Sequence, residues 1–543
     1  MIKELFSLCN ISINKVFLKQ LKCVGFMVIY TVLTIVFPSY IGKIVDVKMD
    51  NEYYSQMFYY ISQMFFVGML MILFQYLQNI SFYKLAQELI VKIKNSIYAK
   101  LFDMDLTFHD THKNGDIFTI IQSDVASLEK IITSTISDLF INFFMVVGIL
   151  IYIFIVDWMI GLITLCITIL LVIVHKKIGK IVENGMITLR ISIGEFSSFV
   201  NETINNLVNI QLIGNEKRVI TRFADKNKQV SQKSISQMRV LSSSGMLGLI
   251  FNVLGTTAIL GVGVFKVSSG DISIGVLFNL LIYVQRVYSP ILIAGNAYVS
   301  IKNVKPNLKK ILEILKCNQI IEAGDCKPKY NLKGEIEFKD VSFSYNENLV
   351  FSKFNLLIKP HEIVGLVGKN GSGKTTITYL LGRLCKPDEG QILLDSCEIC
   401  KYDTDFIKSQ IGFMPQKSFI LSGRLRDAII PEGKTLDDEQ IYRLLSLFKF
   451  DLDQFHSGLD TILGENLYNL SGGEAQKLSL IRLLLENKPI YILDEPTSAL
   501  DLEAEKDICN IIKKYFTEHT VIIITHRERI KDICTTIIDL NKK

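Results

Sequence analysis

One stretch decides the fold of the C-terminal part of the chain: from Ile363 to Thr375 the sequence reads IVGLVGKNGSGKT. Its first five residues are mostly branched and apolar, which predicts a buried strand. The next eight fit the pattern G-x-x-x-x-G-K-[ST], in which glycines let successive backbone N–H groups face a phosphate. A helix is expected to begin near Lys374, whose ammonium group would reach the outer phosphates, while the Thr375 hydroxyl would hold magnesium. The stretch therefore predicts a nucleotide site between a strand and a helix.

A second motif, Ile490 to Glu495, is an apolar strand that ends in two carboxylates. Asp494 suits a magnesium shell, and Glu495 suits a base that orients or deprotonates an attacking water. Without the phosphate loop, two solvated carboxylates at a turn would be the better explanation. Beside that loop, the pair favours magnesium-dependent nucleotide hydrolysis.

Strand-like runs alternate with helical ones after Gly334, which predicts an α/β P-loop ATPase domain with a largely parallel sheet over residues 333–543. The polar segment at residues 316–332, with Gly324 and Pro328, is typical of a linker. The predicted strands are Ile336 to Val341, Ile363 to Val367, Ile411 to Met414, Ile490 to Leu493 and Val521 to Ile524.

The first 315 residues have a different character. The whole chain is 49% hydrophobic and only 21% charged, so part of it must meet a solvent other than water. Six apolar stretches approach the roughly 20 residues that a helix needs to cross a bilayer. They are Leu21 to Tyr40, Met57 to Gln78, Ile136 to Val156, Trp158 to Val174, Leu247 to Val267 and Ile274 to Ala294. Residues 1–315 are therefore predicted to form a six-helix membrane domain; buried helices of a large soluble protein are the alternative for any one stretch.

Two long polar connections, Ser81 to Thr135 and His175 to Gly245, alternate with short ones. Both fall on the same side of the membrane, and their many lysines and arginines identify that side as cytoplasmic. Lysines near the N-terminus place that end there too. The helical patterning of these connections predicts that the membrane helices extend well below the bilayer. The net charge of +5 is too small and too dispersed to indicate a nucleic-acid partner.

The run Leu470-Ser471-Gly472-Gly473-Glu474 completes the pattern. With the motifs above, the chain resembles ATP-binding cassette (ABC) transporters of the exporter type, over essentially its whole length. The resemblance implies that Ser471 and Gly473 of one chain approach, across a dimer interface, the ATP that Lys374 of the other chain holds. Hydrolysis would then require two chains.

The resemblance also assigns roles residue by residue. Tyr345 matches the aromatic residue that stacks on adenine, Gln416 the glutamine that reaches magnesium, Asp501 the aspartate after the catalytic Glu495, and His526 the switch histidine at the γ-phosphate. The implied ATP contacts also include the phosphate loop and the signature, namely Gly368, Lys369, Asn370, Gly371, Ser372, Gly373, Lys374, Thr375, Thr376, Gly472 and Glu474.

Two cytoplasmic loops, Phe108 to Asp124 and Glu202 to Phe223, resemble those that carry short coupling helices, which would press on the ATPase domain near Gln416. Two departures from the family pattern concern coupling and rate. Glu474 replaces the commoner glutamine, and the segment Gly464 to Leu467 lacks the usual Arg-Gly.

The function implied is that of an exporter half-transporter, an ATP hydrolase that moves amphipathic or hydrophobic cargo out of the cytoplasm by alternating access. It would work with ATP and Mg²⁺, as a homodimer or with a different second half, in the plasma membrane of a bacterium. Peptides or drugs are the favoured cargo, and a lipid flippase or an ATP-gated sensor is the alternative. A soluble ATPase of the same superfamily would lack the six apolar stretches.

Gln285 and Arg286 lie inside the sixth apolar stretch and are candidate cargo contacts, because an ionisable residue inside a membrane span is a functional suspect. Arg286 would lie roughly 24 Å along its helix from Gly270, near the inner leaflet. An arginine that snorkels to the interface or pairs with another helix is the alternative explanation.

Overall fold

A computed structural model describes residues 2–47, 53–112, 114–317, 321, 324–345, 348–420, 422–431, 433–455, 457–464 and 470–542. The chain divides into two compact units. The first comprises residues 1–101 and 114–317, and the second comprises residues 102–113 and 318–543. The short insertion of residues 102–113 into the second unit is a feature that the sequence did not reveal.

The first unit is helical. Its helices, together with the short helix α4 that belongs to the second unit, are α1 (Ile2–Leu8), α2 (Ile13–Val45), α3 (Tyr53–Phe102), α4 (Leu106–Thr111), α5 (Asn114–Thr119), α6 (Val125–Lys130), α7 (Ile136–Val156), α8 (Trp158–Asn205), α9 (Leu207–Ile213), α10 (Glu216–Ser268) and α11 (Ile274–Lys316). Two π-helical turns, Ile120–Asp124 and Ile131–Thr135, join α5, α6 and α7 into one rod.

Six helices in the described part of the chain are long and apolar enough to cross a membrane. Each contains one of the six predicted apolar stretches, and five of these helical rods in the described part of the chain run to 42 residues or more. A rod of 48 residues such as α8 is about 72 Å long, more than twice the hydrocarbon thickness. The predicted extension of these helices beyond the bilayer is therefore confirmed.

Polar side chains join the membrane helices where small residues let backbones approach. The backbone N–H of Gly42 in α2 donates to Asn279 Oδ1 in α11 at 3.0 Å. A Cβ at Gly42 would stand 2.2 Å from the Asn279 amide nitrogen, so glycine is required at this crossing. Nearby, Asp46 Oδ1 accepts from the backbone N–H of Gly275 at 2.7 Å. Close backbone approach with an interhelical hydrogen bond is the usual basis of helix association in lipid.

The second unit contains two main sheets. A five-stranded parallel sheet has the order β11-β3-β10-β9-β6, and a four-stranded antiparallel sheet has the order β2-β1-β4-β5. The strands are β1 (Ile336–Tyr345), β2 (Asn348–Ile358), β3 (Ile363–Val367), β4 (Glu389–Leu394), β5 (Cys397–Glu398), β6 (Ile411–Met414), β7 (Gly423–Arg424), β8 (Ile462–Leu463), β9 (Ile490–Asp494), β10 (Thr520–Ile524) and β11 (Thr536–Asp539). The parallel sheet confirms the prediction, whereas the antiparallel sheet was missed beyond its first strand.

Helices cover the parallel sheet, and the strands between them are buried on both faces, which explains their continuous apolar runs. The helices are α12 (Lys374–Leu381), α13 (Thr404–Gln410), α14 (Leu425–Ile429), α15 (Asp438–Leu447), α16 (Gly472–Glu486), α17 (Leu502–Tyr515) and α18 (Glu528–Lys531). One apolar core includes α14 to α17, and the other lies between the two sheets and α12. The sheet is thus a rigid base for the loops at its carboxyl edge.

Candidate active site

The parallel sheet brings four loops together. Because β3, β6, β9 and β10 run in the same direction, the residues that follow them meet at one edge. The phosphate loop follows β3, and Gln416 lies just beyond β6. Glu495 follows β9, and His526 lies two residues after β10. Residues up to 158 positions apart in sequence therefore share one site.

The phosphate loop turns sharply into α12. Gly371 and Gly373 have φ values of +82° and +94°, a region that side chains disfavour. A Cβ at Gly373 would also stand 2.7 Å from the ring of Phe351. The Lys374 ammonium bends back and donates to the carbonyl oxygens of Gly368 and Lys369 at 2.7 and 3.0 Å. These bonds hold the loop curled around the start of the helix.

Asp494 ends β9 in a buried position, with only 4% of its surface exposed. Burial and the neighbouring Glu495 raise the pKa of Asp494 to about 6, against the opposing effects of Lys374 and of a hydrogen bond with Thr375. Burial also lowers the pKa of Lys374, although both carboxylates oppose the shift. The pocket therefore places one ammonium group beside two carboxylates in a partly dehydrated environment, where the electrostatic interaction between these groups is strong.

Glu495 is held from several sides. Its backbone has φ +50°, its N–H donates to the Ile524 carbonyl at 2.9 Å, and Gln416 Nε2 donates to its Oε2 at 3.2 Å. His526 Nε2 lies 4.0 Å from its Oε1. A left-handed backbone in a non-glycine residue is a strained conformation that the surrounding structure must impose. This arrangement fixes the direction of the carboxylate.

Gln476 in α16 is a residue that sequence reasoning missed. It is buried, and its amide nitrogen donates to the Glu495 carbonyl at 3.2 Å and to Ser498 Oγ at 2.8 Å. Its amide oxygen accepts from the backbone N–H of Ala499 at 3.1 Å. Three bonds thus tie α16 to the turn after the catalytic strand. The available signal was a glutamine two residues beyond Glu474, on the otherwise apolar buried face of α16.

A pocket of about 420 Å³ gathers most of the predicted residues. Tyr345 lies at one side, where its hydroxyl is 3.4 Å from Thr376 Oγ1. Two apolar residues that were not predicted, Val350 and Ile524, complete the wall. The predicted residues in the wall are Tyr345, Asn370, Gly371, Gly373, Lys374, Thr375, Thr376, Gln416, Asp494, Glu495 and His526.

The signature residues lie elsewhere, at the start of α16. Ser471 is the N-cap of this helix, and its backbone N–H and hydroxyl both donate to Glu474 Oε2 at 2.7 Å. Glu474 therefore acts as the acceptor of a capping box. None of residues 471–474 lines the 420 Å³ pocket of the described chain. Of the preceding segment, Gly464 is described, whereas residues 465–467 lie outside the described residues.

Asp501 also lies outside this pocket. It caps α17, where its Oδ1 accepts from the backbone N–H groups of Glu503 and Ala504 at 3.1 and 2.8 Å. It lines a different cavity of about 460 Å³, beside Arg527 and Glu505. Within one chain, the structure therefore does not bring Asp501 or the signature to the phosphate loop.

The helix α4 packs inside the second unit. The backbone N–H of Leu106 donates to the Leu384 carbonyl at 2.8 Å, and Asp105 caps the helix through the Phe108 N–H at 3.0 Å. Phe108 is 1% exposed, and its ring stacks on His112 at 4.2 Å. Burial, together with the Asp105 and Asp388 carboxylates, raises the pKa of Cys385 to about 12. A short helix in this loop was predicted near Gln416, but its backbone contact is with Leu384, at the end of α12.

The second predicted loop contains α9, which ends at Gly214 in the left-handed conformation. In α9, Leu207, Val208, Leu212 and Ile213 are all exposed. The first unit thus presents a short apolar helix at its surface.

Of the two candidate cargo residues, Gln285 is exposed and Arg286 is partly buried. Arg286 Nη1 donates to the carbonyl of Thr34 in α2 at 3.2 Å. Arg286 is therefore hydrogen-bonded to a neighbouring helix, as the alternative explanation for this arginine predicts.

Two family models match the chain. The model of the ABC transporter transmembrane region matches residues 21–290, and the ABC transporter model matches residues 351–498. The chain belongs to the ABC transporter family. It is an exporter-type half-transporter, a multi-pass membrane protein whose ATPase domain couples ATP hydrolysis to transport.

Similar proteins include bacterial and eukaryotic members of this family. The ATP-dependent lipid A-core flippase of Desulfotalea psychrophila is 29% identical, over 82% of this ABC transporter and 78% of the flippase. The uncharacterized ABC transporter ATP-binding protein YwjA of Bacillus subtilis is 28% identical, over 80% and 76% of the two chains. The serine protease/ABC transporter B family protein tagA of Dictyostelium discoideum is 28% identical over 84% of this chain, which spans only 26% of tagA.

Proposed function

We propose that this chain forms half of a homodimeric exporter that moves an amphipathic cargo out of the cytoplasm of a bacterium across its plasma membrane. The observation that carries the proposal is the convergence of Lys374, Asp494, Glu495, Gln416 and His526 in one pocket at the carboxyl edge of the sheet. The ATP-gated sensor is less well supported, because Glu495 is both present and held in place.

Different residues of the pocket suit successive parts of ATP, from the adenine to the phosphates. Tyr345 stacks on the adenine, and the backbone N–H groups of residues 370–376 face the phosphates, where the N-terminus of α12 adds a positive potential. The Lys374 ammonium exchanges its bonds to the loop carbonyls for bonds to phosphate oxygens. Because those carbonyls belong to its own loop, this exchange needs only a side-chain movement.

Magnesium fits the donor set of the pocket. The Thr375 hydroxyl and the Asp494 carboxylate are hydrogen-bonded to each other, and hard oxygen ligands of this kind are those that Mg²⁺ prefers. Thr375, Asp494 and Gln416 would hold the ion, which would neutralise charge on the phosphate oxygens.

Glu495 is the proposed catalytic base. Its backbone is fixed by Ile524 and Gln476, and its carboxylate is oriented by Gln416, so it can accept a proton from a water placed in line with the outer phosphate. His526 Nε2 lies 4.0 Å from the other carboxylate oxygen, Oε1, and would contact the γ-phosphate. Positioning of this kind supplies most of the catalysis in phosphoryl transfer.

Completion of the site requires a second chain. Ser471, Gly472, Gly473 and Glu474 form the exposed start of α16, a helix end that favours anions. In the dimer this helix end, with Asp501, would cover the ATP bound by the partner. A ligand drives a conformational change only through its differential affinity for two states. Binding of ATP would then favour the closed pair of ATPase domains, and hydrolysis would return the pair to the open state.

The test is ATP hydrolysis by the purified chain in lipid vesicles, compared with Glu495→Gln. The variant should bind ATP normally and lose at least about 10²-fold in rate, because a general base typically contributes 10²–10⁴-fold. Glu503→Gln, an exposed glutamate at the start of α17, is the matched control and should hydrolyse ATP normally. An unchanged rate in Glu495→Gln would refute the role given to Glu495.

Lipid flipping is the second candidate function. It is favoured by the relatives named lipid A-core flippase and by an apolar cleft among the membrane helices.

A further inference from the structure

The first unit contains an apolar cleft of about 590 Å³ between α7, α8 and α11. Its floor is formed by Leu139, Phe143 and Val146 from α7, by Val172 from α8 and by Ile291 from α11. All five lie on helices that are long and apolar enough to cross a membrane. This floor can accept an acyl chain or another extended apolar group.

Lys176 and Lys180 also line the cleft. They are four residues apart on α8 and therefore lie on the same face, with Gly179, which also lines the cleft, between them. Both are exposed, and within the described residues neither has a carboxylate within ion-pair distance. Two uncompensated cations next to an apolar surface would gain most from an anionic group.

The apolar and cationic parts of the cleft follow each other along one helix. From Val172 the rise of an α-helix places Lys176 about 6 Å and Lys180 about 12 Å further along the axis. A bound molecule would therefore meet an apolar wall first and a cationic one next. That order matches a membrane lipid, whose acyl chains are followed by its headgroup.

A second, more polar cavity of about 970 Å³ continues from the cleft along α8 and α11. The two cavities share Glu183 and Lys302, which form an ion pair at 2.6 Å. The cavity beyond this pair is lined mainly by charged residues, among them Arg190 and Lys305. Among the described residues, its five cationic side chains outnumber its three glutamates, so an excess of positive charge continues along α8 and α11 beyond the cleft.

We propose that this cleft binds an acidic lipid, with the acyl chains on the α7 floor and the anionic headgroup at Lys176 and Lys180, and that such a lipid belongs to the cargo class. The proposal rests on the function proposed above, of which it names the cargo. A free anion would leave the apolar floor unused, and a zwitterionic lipid would gain little from two uncompensated lysines.

The experiment uses the full chain in vesicles that contain phosphatidylglycerol or phosphatidylcholine with a photoactivatable group in the acyl chain. Phosphatidylglycerol should label Phe143, Val146 and Val172, as mapped by mass spectrometry. In the double variant Lys176→Gln/Lys180→Gln, this labelling should fall about 25-fold, since each lysine near a lipid surface contributes about fivefold. Lys177→Gln, which removes the adjacent lysine that does not line the cleft, is the matched control and should label like the natural chain.

Hydrolysis provides the second readout. The ATPase rate of the natural chain and of Lys177→Gln should rise with the fraction of phosphatidylglycerol, and the double variant should lose this rise. Absence of ATPase activity in the natural chain, with specific labelling intact, would refute the proposed transporter function while supporting the lipid site.

Several results would overturn the site itself. Equal labelling by the two lipids would show that the lysines select nothing, and an equal loss in Lys177→Gln would show a general surface-charge effect. Displacement of the lipid by millimolar inorganic phosphate would show that an anion alone suffices. A disulfide formed between two copies of Val172→Cys would show that a second chain covers the cleft.

Discussion

Removal of the Phe108 ring should release α4 from the ATPase unit. Phe108 is 1% exposed, and truncation of a buried phenylalanine to alanine costs about 3–5 kcal/mol. In Phe108→Ala the undocked population of this segment should therefore increase by about 150- to 5,000-fold. The phosphate pocket contains no residue of α4, so ATP binding should persist while the response of hydrolysis to cargo is lost.

Two probes at the docking site measure this release. The Leu106 amide, which is bonded to the Leu384 carbonyl, should exchange with deuterium about 150- to 5,000-fold faster. Cys385, whose thiol is protected by burial and by the Asp105 carboxylate, should become reactive toward a maleimide. Phe118→Ala, which removes an exposed ring, is the control and should change neither probe. Unchanged Leu106 exchange in Phe108→Ala would show that the ring does not hold α4 in place, and the reasoning would fail.

Three further predictions concern the ATPase unit. Gly373→Ala should weaken binding of a fluorescent ATP analogue by at least about 30-fold, because its φ of +94° and the 2.7 Å approach to Phe351 together cost about 2–4 kcal/mol. Glu474→Gln should lower the KM for ATP about fivefold, since it removes a negative charge that would lie near the partner's phosphates while its amide oxygen can still accept from Ser471. In the natural chain, alkylation of Cys385 should stay slow at pH 8 and rise about tenfold per pH unit, because a pKa raised to about 12 leaves roughly one thiol in 10⁴ ionised.

Each of these three predictions has a control variant or a result that would contradict it. Gly433→Ala introduces a side chain at a φ of +79° where nothing lies within 4 Å, so it should leave nucleotide binding unchanged. A KM unaffected by Glu474→Gln would mean that the start of α16 stays away from nucleotide. Rapid alkylation of Cys385 at pH 7 would mean that α4 is undocked in the natural chain.

The elements that sequence predicts best are those whose signals are local. The strand Ile363–Val367, the glycine loop and the six apolar helices are each encoded in one continuous stretch, and the structure places them where expected. Because the four strands are parallel, their carboxyl ends meet at one edge of the sheet, and this edge brings Gln416, Glu495 and His526 to the phosphate loop.

The features that escaped prediction depend on tertiary contacts. Nothing near Gln476 in sequence shows that its amide will bond to the turn after Glu495. The edge strand Asn348–Ile358 is only partly buried, so its apolar pattern is weak. The site of α4 at Leu384 depends on a pairing of residues far apart in the chain.

The assignment of residues 102–113 to the ATPase unit has a consequence for synthesis of the protein. Phe108 leaves the ribosome about 280 residues before Leu384, which at about 5–20 residues per second is a delay of roughly 15–55 s. During that time α4 has no partner from its own folding unit, while the membrane helices on either side of it are already being inserted. The ATPase unit therefore cannot finish folding as an independent C-terminal tail, and expression of residues 318–543 alone would leave the Leu384 surface without the helix that belongs there.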